Sequence, residues 1–523
     1  MGASPSRLAS TPAPTTPGSV EKPGFPRDDA PPQTRGHHSV DRLNRITAES
    51  TTRSSSSSTS VDISSIPSWQ SKLDQDPTSR LAALTLHNTT IKESLRVRKS
   101  EVQMVDVFNT VVQRENRPIT NQQSSGRCWL FASHNVIRNA MLSTLKIDSF
   151  QLSQSYPFFW DHLEKANWFL EQTLDLYDRP VDDRVFSTLK ADPVGDGGQW
   201  DMAANLLRKY GAVPQGVYPE SFNSSSTGGV DKLLTTKLRR DAIKLRALKK
   251  EAMASLQSAG LSEADAASRA DVACRKEKAA MLEDAYRLLS LAAGAPPHPD
   301  EPFTWSYRNT AGKMVTIRST PREFLRKYAP QFDVEGHASL VHDPRHKPNT
   351  LLTVDRLGNV LEGNPVRYIN ACIDELGTSA IKQLKAGLPV FFGCDVGQFS
   401  NSQLGIMDTG LYDFSVVLGE GEGMSKAERI EYGESLMTHA MCLVGVQLGE
   451  KGEPVRWRVE NSWGPTAGKE GYFVMSQEWF REFVYQVVVK REFMRSELWD
   501  LFERGVDEKT TVLPIYDPLG ALA

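Results

Sequence analysis

The chain has 523 residues, 39% of them hydrophobic and 24% charged, with a net charge of −3. These values describe an ordinary soluble globular protein of two to four average domains or one large elaborated one, with no overall field to draw nucleic acid or acidic membranes. No apolar run approaches the ~20 residues that span a bilayer, and no secretory segment stands near the start, so no membrane role is expected.

Residues 1 to 65 are crowded with Ser, Thr and Pro, including the run Ser54 to Ser58, and read as a disordered arm. Met1-Gly2 with Ser6 fits a myristoylation pattern, with Pro5 against it. Arg7, Arg27, Arg35, Arg42 and Arg45 suit a mitochondrial presequence, but Glu21, Asp28, Asp29 and Asp41 spoil the acid-poor composition such peptides need.

From Ile66 the sequence looks folded to its last residue. Cys128 to Leu145 carries Phe131, Ile137, Met141 and Leu145 at near-helical spacing, which predicts a helix with a core-facing stripe. "LSQSYPFFWDHLEKANWFLEQTLDLY" and "QWDMAANLLRKYG" predict further helices, the second stopped by Gly211. A stretch rich in Lys, Arg, Glu, Ala and Leu, from about 225 to 295, predicts a long helical insertion, a hairpin of helices. Within it, Lys232 to Lys250 holds eight basic residues against Asp241 alone. That is first a solvated helix face, and second a groove for single-stranded nucleic acid. Beyond it the period changes. "LPVFFGCDVG", "HAMCLVGVQLG", "VRWRVENSW" and "GYFVMS" predict short strands of a small antiparallel sheet or barrel. Helices in the first half and strands in the second make an α+β fold with room for a cleft between them. "GEGEG" at Gly419 to Gly423 reads as a flexible turn, since its glutamates repel phosphate and no Lys follows.

The five cysteines, Cys128, Cys274, Cys372, Cys394 and Cys442, are odd in number and widely spaced, without a C-x-x-C pair. That argues against a disulfide scaffold or a tetrahedral zinc site, so neither metal nor cofactor is expected, and for a reducing compartment, by default the cytosol. A lone cysteine is usually a packed core residue, and Cys394 and Cys442, inside apolar strands, read so. Cys128 differs because it opens a helix, where the free N–H groups favour a thiolate. Of ten histidines, His439 starts a buried strand where an imidazole is held rigidly, whereas His134 lies on another face of the Cys128 helix. Asn461, ending the next strand in "VENSWG", can fix the His439 ring, and Trp463 can shield that hydrogen bond from water. Gln122, six residues before Cys128, offers an amide donor to an oxyanion beside the Cys128 N–H.

Gln-x5-Cys-Trp, a late His before a small-residue strand, then Asn-Ser-Trp-Gly resembles the papain-like cysteine peptidases. More narrowly, "TNQQSSGRCWLF", "DGGQWDM", "FGCDVG", "GESLMTHAM", "WRVENSWG" and the ending "DPLGALA" are similar, in order, to the bleomycin hydrolase family. The likeness runs from about residue 66 to 523. It implies a papain-like fold of helical and β-barrel subdomains, with Cys128 as nucleophile, His439 as base and then acid, Asn461 as orienter and Gln122 in the oxyanion hole. It also implies that Gly197 and Gly198 let a substrate backbone approach closely, and that a C-terminal tail, about 508 to 523, lies in the active-site cleft with its end at Ala523. Where secreted papain relatives carry a cysteine three residues before the nucleophile, this chain has Ser125, which agrees with a reducing cytosol. The implied activity is removal of residues one at a time from peptides with a free N-terminus, with bleomycin-hydrolase-like amidase and homocysteine-thiolactonase chemistry, in a homohexamer. An open-cleft endopeptidase and a nucleic-acid-binding scaffold are the other two readings.

Overall fold

The computed structural model describes residues 60–419 and 423–521. Nearly all of the Ser/Thr/Pro-rich arm, most of "GEGEG", and Ala523 lie outside the described residues. The chain divides into two units. The smaller has only residues 60–63 and 423–425 among those described, and everything below belongs to the larger, residues 64–421 and 426–523.

Helices come first. Helix α1 (Cys128–Leu145) buries fourteen of its eighteen residues, far more than the four-residue stripe predicts. It packs against a sheet strand on one side and other helices elsewhere, and such enclosure buries polar residues too, each needing a partner. Arg138 meets Glu460 at 3.3 Å and donates to the carbonyls of Pro118 and Phe150 at 3.0 and 3.1 Å. Two further helices, α2 (Ser155–Asp175) and α3 (Trp200–Tyr210), complete this layer. Gly211 ends α3 at φ +76°, where a Cβ would come within 2.3 Å of the Pro321 carbonyl oxygen, so only glycine fits.

The insertion is a hairpin of α4 (Gly228–Ser258) and α5 (Glu263–Ala293) packed along α2. Four of the eight basic residues between Lys232 and Lys250 are engaged by the protein itself, three of them buried. Lys237 pairs with Asp241 at 2.6 Å and Lys249 with Asp271 at 2.7 Å. Arg246 donates to the Leu176 carbonyl at 2.9 Å, and Arg239 to the carbonyls of Lys190 and Ala191 at 2.9 and 2.7 Å. The face is therefore less a free cationic surface than its composition indicates.

The second half is built on β1 (His337–Val341), β2 (Val390–Cys394), β3 (His439–Leu448), β4 (Pro454–Glu460), β5 (Tyr472–Ser476) and β6 (Val484–Lys490). With shorter strands they form a twelve-stranded sheet, larger than the small antiparallel one expected. Strands 511–513, 350–354 and 367–370 lead to β1, followed by β6, β2, β3, β4 and β5, then 406–407 and 400–401, while 110–111 joins β3. Three of its pairings are parallel. Strands of two to five residues carry too little period to be read from sequence. No helix among the described residues is long and apolar enough to cross a membrane.

Candidate active site

Cys128 is the first residue of α1, with Arg127 before it as the helix cap. The loop leading to it is held by short hydrogen bonds: Gln122 N–H to the Ser462 carbonyl at 2.8 Å, Ser125 Oγ to the Gln122 carbonyl at 2.6 Å, and Gly126 N–H to Asp196 Oδ2 at 2.8 Å. The Gln122 amide oxygen accepts from Ser462 Oγ at 2.7 Å, and its nitrogen donates to the Ser125 carbonyl at 2.7 Å. An amide nitrogen carries two hydrogens, so one remains for another acceptor.

His439 opens β3, buried, directly opposite Cys394 of β2. Its Nε2 lies 3.0 Å from Asn461 Oδ1, at the end of β4. The same oxygen accepts the Ser462 N–H at 2.7 Å, which fixes the amide so that oxygen, not nitrogen, faces the ring. Nε2 is then the protonated nitrogen and Nδ1 carries the lone pair. Trp463 stacks on the imidazole with centroids 4.8 Å apart, so its ring covers this pair. Sequence thus placed Gln122, His439, Asn461 and Trp463 in one locality, and the sheet register brings them there.

The sulfur of Cys128 lies against the backbone amide of Ala440, the residue after His439, and close to its own amide and that of Trp129. These donors favour a thiolate, but burial outweighs them and pushes the thiol up to about 11. Burial also pushes His439 down to about 4, against the Asn461 hydrogen bond. Burial thus opposes each charge taken alone, against what the helix end favours. Moving one proton from sulfur to ring makes both charges together, and they attract each other in a low-dielectric pocket. His134 stays outside this group, bonded through Nδ1 to the Leu130 carbonyl at 2.9 Å.

Across from Cys128 runs the loop of Gly195 to Gln199. Lys165 of α2 grips it, donating to the carbonyls of Gly195 and Gly197 at 2.6 and 2.7 Å. A Cβ on Gly198 would come within 2.4 Å of the Trp129 ring, so the loop lies flat on the residue after Cys128 only because position 198 has no side chain. Gln199 Nε2 donates to the Ala521 carbonyl at 2.8 Å, which brings the chain's last described residue to this loop. Ala523 itself lies outside the described residues.

A family model described as the peptidase C1-like family matches residues 60–520. The chain belongs to that family. It is 42% identical over 471 residues to cysteine proteinase 1, mitochondrial, of Saccharomyces cerevisiae, covering 89% of this chain and 94% of that one. It is 39% identical to human bleomycin hydrolase (89% and 100% covered) and 40% identical to aminopeptidase C of Streptococcus thermophilus (84% and 93%). The crystal structure of PepW from Lactobacillus rhamnosis superposes with a TM-score of 0.81 at 40% identity, covering 89% of this chain and all of that one. The fold is thus that of the papain-like C1 peptidases, and the protein is a cysteine peptidase.

Three residues of this C1 peptidase site were given no role in it by the sequence. Asp196 touches both sides of Cys128, Lys165 holds the facing loop, and Cys394 sits opposite His439. Asp196 and Cys394 fall inside the stretches "DGGQWDM" and "FGCDVG", but nothing local marks their side chains as part of the site.

Proposed function

We propose that this peptidase is an aminopeptidase with Cys128 as nucleophile and a C-terminal tail that measures one residue from a free N-terminus. The carrying observation is the Gln199–Ala521 hydrogen bond, which leads the chain end to the loop facing Cys128. In this reading the carboxylate of Ala523 is the group that meets a substrate's N-terminus. Set there, it pairs with a substrate's α-ammonium and blocks any chain that extends past it.

Cys128 Sγ bonds to the scissile carbonyl carbon while its proton passes to His439 Nδ1, and Asn461 holds the ring for the transfer. The tetrahedral oxyanion takes hydrogen bonds from the Cys128 N–H and the remaining Gln122 amide hydrogen. The C–N bond then breaks as the ring returns the proton to the leaving amine. Water, deprotonated by His439, releases the acyl group and restores the thiol. The names of bleomycin hydrolase and aminopeptidase C among the relatives support amidase and aminopeptidase chemistry in this chain too. A cytosolic location and a homohexamer belong to the same reading. Five unpaired thiols support a reducing compartment, whereas the yeast relative carries a mitochondrial name. Fractionation and sedimentation test these two points.

The decisive assay compares peptides with free and N-acetylated ends, with burst kinetics on an activated ester in wild type and Cys128→Ala. Release of single residues from free ends only, and a burst lost in Cys128→Ala, is the expected result. Equal cleavage of acetylated peptides would sink the ruler.

A further inference from the structure

We infer that Asp196 is a positioning residue for the nucleophile, clamping the loop before Cys128 and the helix after it to one carboxylate-bearing residue. This rests on the reading of Cys128 as the nucleophile. On the near side, Asp196 Oδ2 accepts the Gly126 N–H at 2.8 Å, two residues before Cys128. On the far side, the Asp196 main-chain carbonyl accepts Trp129 Nε1–H at 2.6 Å, one residue after it. The approach is so close that a Cβ on Gly126 would come within 2.8 Å of the Asp196 Cβ. No other residue among those described bonds to both flanks of Cys128.

The clamp is itself braced. Lys165 holds the carbonyls of Gly195 and Gly197, the two neighbours of Asp196, and pairs with Asp161 at 2.6 Å. Thr227, the cap residue of α4, donates through Oγ1 to Asp196 Oδ2. The second oxygen, Oδ1, is shut from solvent without a hydrogen-bond partner, 3.6 Å from His162 Nε2, which bonds to Asp231 at 2.9 Å. The insertion hairpin thus buttresses the nucleophile through Thr227 and Asp231, a connection that links residues a hundred positions apart. Fixing a nucleophile to within a fraction of an ångström is worth on the order of 10² in rate.

The carboxylate has a second effect. Its charge stands near the sulfur and opposes the thiolate. The other titratable groups around Cys128 are Cys394 and His439 from the sheet. Those around Asp196 are Arg127 of the loop, His162 and Lys165 of α2, and Asp231 of α4. A group that only held the fold together would not move the pH profile of the thiol.

The test uses the full chain with Asp196→Ala, Asp196→Asn and Thr227→Val. Four quantities are read: kcat and KM on an aminoacyl coumarin amide, the melting temperature, and the pH profile of Cys128 alkylation by iodoacetamide, with the modified site mapped by mass spectrometry. Asp196→Ala should lower kcat about 10²-fold while KM stays within about threefold. Asp196→Asn should recover kcat to within about fivefold, because its amide oxygen still accepts the Gly126 N–H. Both should move the alkylation midpoint to lower pH. A wild-type kcat in Asp196→Ala, an Asn variant as poor as Ala, or an unmoved midpoint overturns the inference. Should Asp196→Ala fail to fold, Thr227→Val decides: it removes one donor to the same oxygen, so kcat should fall several-fold at unchanged melting, and an unchanged kcat overturns the clamp. Activity retained by Cys128→Ala in the same assay would instead sink the nucleophile reading.

Discussion

His439 Nε2 lies 3.0 Å from Asn461 Oδ1, and the Ser462 N–H holds that oxygen in place from the other side at 2.7 Å. Asn461 therefore acts on the ring and not on the substrate. Replacing it with Ala should slow turnover by on the order of 10²-fold and leave measurable activity, because the base itself remains. His439→Ala should leave none. Steady-state rates on a free-N-terminus substrate settle this, and equal losses in the two variants would refute the orienting role.

Gln122 joins the loop before Cys128 to Ser462, through Ser462 Oγ and its own backbone, besides offering its amide to the oxyanion. Gln122→Ala is expected to cost about 10²–10³-fold in kcat. It should also cost about 1–3 kcal/mol in stability from the buried groups it strands. Denaturant melts beside the kinetics separate the two, and a stability loss with normal kcat would remove it from the oxyanion hole.

Stability should peak between about pH 6.5 and 9. Burial pushes His134, His337 and His439 each down to about 4, so below 6.5 the unfolded chain takes up protons that the folded one refuses. Stability is lost as the pH falls from 6.5 toward 4, by on the order of 3 kcal/mol for each ring. On the alkaline side, burial holds the Cys128 thiol up to about 11 against 9.0, so the unfolded chain ionises first and stability falls between those values. Melting temperature against pH reads both limbs, and His337→Asn should flatten the acid one. A melt flat from 6.5 to 4 contradicts the assignment.

The tail is anchored by Leu519, buried in the core, and by Asp517, which pairs with Arg345 at 2.8 Å. Deleting Leu519 to Ala523 should open the cleft and let N-acetylated peptides be cut internally. Arg345→Gln should do so weakly, since Leu519 still holds. Mass spectrometry of the products is the readout, and strict dependence on a free N-terminus after truncation would show that something other than the tail sets the length.

The sequence by itself determined the elements that carry chemistry. Cys128 at a helix start, His439 at a strand start, Asn461 at a strand end and Gln122 in the loop before the helix all follow from local pattern and spacing, because capping, period and turn residues act within a few positions. The tertiary structure decided what long-range contacts alone fix. The register that sets His439 opposite Cys394, the Asp196 bonds on both flanks of Cys128, and the breadth of the sheet join residues tens to hundreds of positions apart. The electrostatic surroundings of sulfur and ring were decided there too. A helix end argues for a thiolate, but the free energy of burying a charge is set by everything packed around it, and here burial works against the charged form of sulfur and of ring, each taken alone.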